Sequence, residues 1–151
     1  DCDLLLEISK ETGIPVIIDL DGYEGLNIDM KKLSYFDTII LNKSILKQLT
    51  GSVSLEENGS YFSSLTSSKI ICTCGEDGVE TLINGHFTRI SAPKVEVVDT
   101  TGAGDTFAGA YLHSLQSGVT FIENVEYAAK IASNSTSFNS SLGLLDADLK
   151  I

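Results

Sequence analysis

Little in this sequence invites a membrane, nucleic acid or disulfide chemistry. The 151 residues contain no tryptophan, one methionine, two prolines and three cysteines. No apolar run approaches the ~18 residues of a membrane span, and the first residues read as an acidic helix rather than a signal peptide. The expected compartment is therefore the cytoplasm. Basic residues are scarce: 10 Lys and Arg against 21 Asp and Glu give a net charge of −11, which repels phosphodiester backbones and anionic lipid alike. Neither nucleic acid nor a membrane is an expected partner. An odd number of cysteines closes no set of disulfides. Cys72 and Cys74, one residue apart on a predicted strand and expected to face opposite sides of it, read as reduced core thiols.

Several catalytic signatures are missing as well. No G-x-S-x-G elbow occurs, Cys and His form no ligand cluster, and His86 and His113 have no partner acid or nucleophile at a telling distance. What remains is an alternation of short apolar runs and helical stretches in a length suited to one domain, 1–151. VIID at 16–19, TIIL at 38–41 and KIICT at 69–73 are unalternated and β-branched, the pattern of parallel strands covered on both faces. Between them lie helices over 4–12 and 44–50, closed by Gly13 and Gly51. Ser54 and Glu57 have capping-box spacing for a further helix towards Ser63. Asn84-Gly85 between 79–83 and 86–90 is the strongest two-residue hairpin signal, and it predicts an antiparallel edge. The class is α/β: an open, mostly parallel sheet with helices on both faces.

Chemistry concentrates in DTTGAGDTF, Asp99 to Phe107. An apolar run at 95–98 reads as a strand feeding two glycine turns, and a helix then carries a stripe of Phe107, Tyr111 and Leu115 with Ala108 and Leu112. Gly118 ends it, and Thr120 with Glu123 caps a last helix whose apolar face is Ile122, Val125, Ala129 and Ala132. Gly102 and Gly104 permit positive φ and close approach of main-chain N–H groups, and the helix start directs its positive dipole end to the same place. Phosphate is the implied guest. A Walker loop would need Gly-Lys-Ser/Thr here, and a dinucleotide fingerprint would need a third glycine where Phe107 stands. Asp105 among amide donors suits the removal of a proton from a hydroxyl attacking phosphorus. A plain helix cap is the simpler alternative for it.

This segment resembles the D-T-x-G-A-G-D signature of the ribokinase-like (PfkB-type) carbohydrate kinases, and the likeness extends over nearly the whole chain as the C-terminal half of such a kinase. The resemblance implies that Gly102, Ala103, Gly104 and Asp105 are catalytic: the amides around 103–105 hold the γ-phosphate of ATP and Asp105 accepts the proton of a sugar or nucleoside hydroxyl. ICTCGEDGV is similar to the family's T-x-G-x-x-G turn, which makes Thr73, Gly75 and Gly78 nucleotide contacts, although G-E-D-G is also an ordinary tight turn. Asn42 matches the Asn of an Asn-x-x-Glu pattern, and Thr101 and Phe138 are further implied nucleotide contacts. Kinases of this type use Mg²⁺, and often a monovalent cation such as K⁺ held near Asp99 and Thr101. For Asp99, a carboxylate bonding its own turn carries equal weight.

Two positions depart from the family pattern. Ile45 stands where the Glu of Asn-x-x-Glu organises Mg²⁺, and Ser137-Phe138 replaces a glycine-bearing turn that closes over adenine. The strand ending in Asp19 looks like the family's V-x-x-D-x-N stretch with Asp21 in place of Asn. Kinases of this type run to about twice this length, so the chain is expected to be a fragment whose open sheet edge invites a homodimer. Two functions stay open on the sequence: an ATP-dependent sugar or nucleoside kinase, and a non-catalytic nucleotide-binding or scaffold relative.

Overall fold

The three β-branched runs become parallel neighbours. In the computed structural model, which describes residues 2–22 and 30–138, they form β1 (Ile17–Asp19), β2 (Thr38–Asn42) and β3 (Lys69–Thr73). Ile18 lies beside Ile39, and Ile39 in turn beside Ile70. β4 (Val79–Ile83) and β5 (His86–Ile90) complete a five-stranded sheet in the order β1-β2-β3-β4-β5. The links at 74–78 and 84–85 are too short for a parallel crossover, so this end is antiparallel. Asn84, at φ 50, and Gly85, at φ 78, supply the left-handed pair that a type I′ turn requires. The fold is an α/β open sheet, mostly parallel, with a hairpin edge, as the sequence pattern implies.

Helices α1 (Cys2–Thr12), α2 (Lys43–Thr50), α3 (Gly59–Leu65), α4 (Ala103–Ser114) and α5 (Phe121–Ser135) accompany the strands. The described structure divides into two compact units: one holds the chain through Cys74 together with Glu80–Arg89, the other Gly75–Val79 and the chain from Ile90. The first has its core between β2, β3 and their helices, where Ile39, Ile45, Leu46 and Ile70 are fully buried. Each contributes roughly 1.5–3 kcal/mol by leaving water. The second is centred on the packing of α4 with α5, where Tyr111 is fully buried and meets the ring of Phe121 edge-on at 6.4 Å.

Four expectations are corrected. The Ser54 helix begins only at Gly59; Ser54 Oγ accepts the Glu57 N–H, but the Glu57 carboxylate turns to Ser52 Oγ, so the reciprocal box fails and 55–58 form a turn. Residues 95–98 are not a strand: Val97 and Val98 are exposed and the segment has no ladder partner among the described residues. The buried stripe of α4 is Phe107, Tyr111 and Ser114; Leu112 is exposed, and so is Leu115, where the helix gives way to a 3-10 turn at Leu115–Ser117 before Gly118. Cys72 and Cys74 do not face opposite sides, since positions two apart share a face of a strand, and the Cys74 thiol donates to the Cys72 carbonyl at 3.3 Å. The capping box of α5 is fully formed, with Thr120 Oγ1 accepting the Glu123 N–H and the Glu123 carboxylate accepting the Thr120 N–H.

Candidate active site

Ligands of open α/β sheets bind beyond the carboxyl ends of the strands, and in the first unit that rim holds Asp19, Asn42 and Thr73. Asn42 and Thr73 are register partners at the ends of β2 and β3. Asn42 is occupied at both ends of its amide: Oδ1 accepts the Ile45 N–H at 2.9 Å, capping α2, and Nδ2 donates to Asp21 Oδ1 at 2.7 Å. Thr73 Oγ1 donates to the Leu41 carbonyl at 3.4 Å. Asp19 Oδ1 in turn accepts the Asp21 N–H. Asp19, Asp21 and Asn42 therefore brace one another, and the Asp21 bridge to Asn42 carried no sequence signal, because it joins residues 21 positions apart.

The Gly75–Gly78 turn, in the second unit, separates its two glycines. Gly75, at φ 60, is exposed, and a Cβ built on it would meet nothing within 4 Å. Gly78, at φ 92, lies so close to the chain after β5 that its Cβ would stand 2.1 Å from the Ile90 carbonyl and 2.6 Å from the Ala92 nitrogen. Glycine at 78 is thus demanded by a backbone crossing. Of the two, Gly75 alone leaves room beside its backbone.

The signature loop has a different character. Gly102, at φ 76, turns the chain into α4 with no side-chain cap. Its carbonyl accepts the Thr106 N–H at 2.9 Å, while the Ala103 N–H goes to the Thr100 carbonyl at 3.1 Å. Among the described residues, the N–H groups of Gly104 and Asp105 have no acceptor. Two donors at a helix start, on the positive end of its dipole, suit an anion. The Asp105 side chain in the same turn is exposed. Of the three amides implied for the phosphate, Ala103's is consumed by its own turn, and 104 and 105 are available.

Just upstream, Asp99 Oδ1 accepts the Thr101 N–H at 2.8 Å. That bond, seconded by the Thr101 hydroxyl, holds the Asp99 carboxyl below the usual carboxylate range. The Thr136 carbonyl, at the end of α5, accepts N–H groups from both Val98 (2.7 Å) and Asp99 (3.0 Å). Both its lone pairs are engaged, and 139–141 lie outside the described residues. Phe138, half-buried, donates its N–H to Ser135 as the chain leaves α5. This clamp of the signature to the end of α5 is a link that sequence reasoning missed.

A profile of the pfkB family of carbohydrate kinases matches residues 2–141. The chain belongs to that family. Ribokinase of Schizosaccharomyces pombe is 33% identical over 137 residues, which cover 85% of this chain and 42% of that protein. The structure of Arabidopsis thaliana ribokinase complexed with ribose and ATP superposes with a TM-score of 0.80 at 28% identity, over 90% of this chain and 46% of that one. Thermotoga maritima ribokinase gives 0.77 at 26% identity, over 92% and 48%. This pfkB chain spans somewhat less than half the length of these relatives. No helix among its described residues is long and apolar enough to cross a membrane.

Against that family background Ile45 stands out. Its side chain is fully buried in the core of the first unit, so it presents nothing to a metal-bound water. Among the described residues no three His, Cys, Asp or Glu side chains gather into a metal site. The residues present do not fit a magnesium ion organised from the first turn of α2.

Proposed function

We propose that the chain carries the nucleotide-binding half and the proton acceptor of an ATP-dependent kinase acting on a hydroxyl of a sugar or nucleoside. The observation that carries this reading is the start of α4, where Gly102 bends the backbone, the N–H groups of Gly104 and Asp105 have no partner among the described residues, and the Asp105 carboxylate stands exposed beside them. The likeness to a ribokinase complexed with ribose and ATP supports the substrate class.

The terminal phosphate would rest on those two amides, with the helix dipole adding to the attraction. Asp105 accepts the acceptor hydroxyl's proton as its oxygen attacks the phosphorus in line with the departing ADP oxygen. A carboxylate is a weak base, so most of the acceleration comes from positioning and from charge stabilisation on fixed N–H groups. Gly75, exposed and unobstructed, leaves room for the nucleotide at its turn. Thr101 is the less direct contact, since its N–H already serves Asp99.

A second reading, a nucleotide-binding or scaffold relative without turnover, is favoured by the buried Ile45. One assay separates the two: ADP release from Mg-ATP by the protein across a panel of pentoses, hexoses and nucleosides. Release stimulated by one acceptor and lost in Asp105→Asn supports the kinase. Nucleotide binding with no stimulation by any acceptor gives the scaffold.

A further inference from the structure

Asn-Gly occurs twice in this chain, at 58–59 and 84–85, and the structure treats the two pairs unequally. The dipeptide carries a reaction of its own: the glycine nitrogen, with no Cβ beside it to hinder approach, can attack the carboxamide carbon of the preceding asparagine. A folded chain holds that attack back by a hydrogen bond on the glycine N–H, a hydrogen bond on the carboxamide, and packing that blocks the movement of either.

At 58–59 all of these are present. The Gly59 N–H donates to the Glu56 carbonyl at 3.2 Å, Asn58 Nδ2 donates to the Ser54 carbonyl at 2.7 Å, and the Asn58 carbonyl accepts the Phe62 N–H at 3.0 Å as α3 begins. A Cβ on Gly59 would lie 3.5 Å from Leu82 Cδ1, and Asn58 is half-buried. At 84–85 none is present. Asn84 and Gly85 are both exposed. Among the described residues the Gly85 N–H has no acceptor and the Asn84 carboxamide has no partner, and a Cβ on Gly85 would meet only Ser63 Oγ, 3.9 Å away.

We propose that Asn84 is a site of spontaneous modification, converting with water to aspartate and isoaspartate, while Asn58 is spared. The Gly85 nitrogen bonds to Asn84 Cγ, the Cγ–Nδ2 bond breaks, and the amide leaves as ammonia with the proton from the Gly85 N–H. Water then opens the cyclic imide. Cleavage of the new N–Cγ bond gives aspartate, and cleavage of the original peptide bond gives isoaspartate, whose chain runs through Cγ. Each product adds one negative charge, and nothing is oxidised or reduced. Aspartate, like asparagine, accepts the left-handed conformation that residue 84 holds at φ 50. Isoaspartate lengthens the main chain by one carbon inside the two-residue turn that sets Glu80 opposite Arg89, and so loosens the β4–β5 edge.

The test follows both sites in one sample. The folded protein is incubated in mildly alkaline buffer, digested in acid, and its peptides are mapped by mass spectrometry, each conversion replacing a carboxamide by the slightly heavier carboxyl group. Asn84 should convert faster than Asn58 by about tenfold or more, since two hydrogen bonds must open before Asn58 can react, and in concentrated guanidinium chloride the two rates should converge. Comparable or faster conversion of Asn58 in the folded protein, an Asn84 that is stable when folded yet reacts when unfolded, or a difference that persists in denaturant would each overturn the proposal. The aged protein, purified by its added charge, should also melt below the Asn84→Asp protein, and coincident melting would overturn the effect assigned to isoaspartate on the hairpin.

Discussion

Two helices of this chain begin just after a motif that its family uses, and they begin in opposite ways. At α2 the side chain of Asn42 folds onto the Ile45 N–H, and its other end is tied to Asp21. At α4 a left-handed glycine opens the helix without a side-chain cap, and among the described residues two N–H groups are left without partners beside an exposed carboxylate. Both motifs are legible as sequence. At the first the capping side chain is consumed by its own fold, at the second two N–H groups have no acceptor among the described residues, and the general lesson is that a motif offers chemistry in proportion to the polar groups its own fold has not already satisfied.

Asp105→Asn should break the active member of this pair most severely, cutting turnover by between ~10² and ~10⁴-fold, the scale of general-base loss, with ATP affinity little changed. Steady-state kinetics alongside calorimetric ATP binding measure both, and a variant with unimpaired turnover removes the proton-acceptor role. The two glycines of the neighbouring turn sharpen the comparison next. Gly78→Ala should lower stability by about 3 kcal/mol, as an overpacked backbone crossing does, whereas Gly75→Ala has only backbone strain to bear, about 1 kcal/mol. Urea unfolding gives both values, and equal losses would mean that the crossing at Ile90 is not what requires glycine.

Asn42→Ala comes third. It should remove about 1 kcal/mol of stability, the usual worth of a helix cap, and leave ATP affinity as it was. A large fall in affinity would make Asn42 a ligand contact and erase the contrast between the two helices. Smallest is an acid effect at α5. The Thr120 hydroxyl, then its N–H, holds the Glu123 carboxyl below the usual glutamate range. A carboxyl depressed in the folded state stabilises above its unfolded pKa, and that increment fades as pH falls through the folded value. Melting temperatures followed from neutral pH into that acid range should show Thr120→Ala converging on the parent. A constant gap would mean that the box owes nothing to the Glu123 charge.

The sheet was readable because its information is local. The β-branched runs, the Asn84-Gly85 turn and the caps at Gly51, Gly118 and Thr120 each act within a few residues, and the strands at 69–73, 79–83 and 86–90 fall where those signals put them. Misreadings came where a group had a choice of partners or lacked one. Glu57 had Ser52 as well as Ser54 within reach, and 95–98 had a strand's composition but no neighbour to pair with. One missed contact was available: a two-residue turn at 84–85 sets 83 opposite 86 and therefore Glu80 opposite Arg89, the pair that neutralises a charge buried in an apolar strand. At the site, the residue types were legible and their vacancies were not. Nothing in DTTGAGD says that Thr100 takes the Ala103 N–H, or that the Thr136 carbonyl holds Val98 and Asp99.

The claim that unpartnered amides at the start of α4 hold the terminal phosphate is tested most directly by following backbone ¹H–¹⁵N resonances during an ATP titration. Gly104 and Asp105 should move most among the residues of the two helix starts, with Ala103 and Ile45 moving far less because their N–H groups already have acceptors. Large shifts at Ile45 with Gly104 and Asp105 unmoved at saturation would contradict the account.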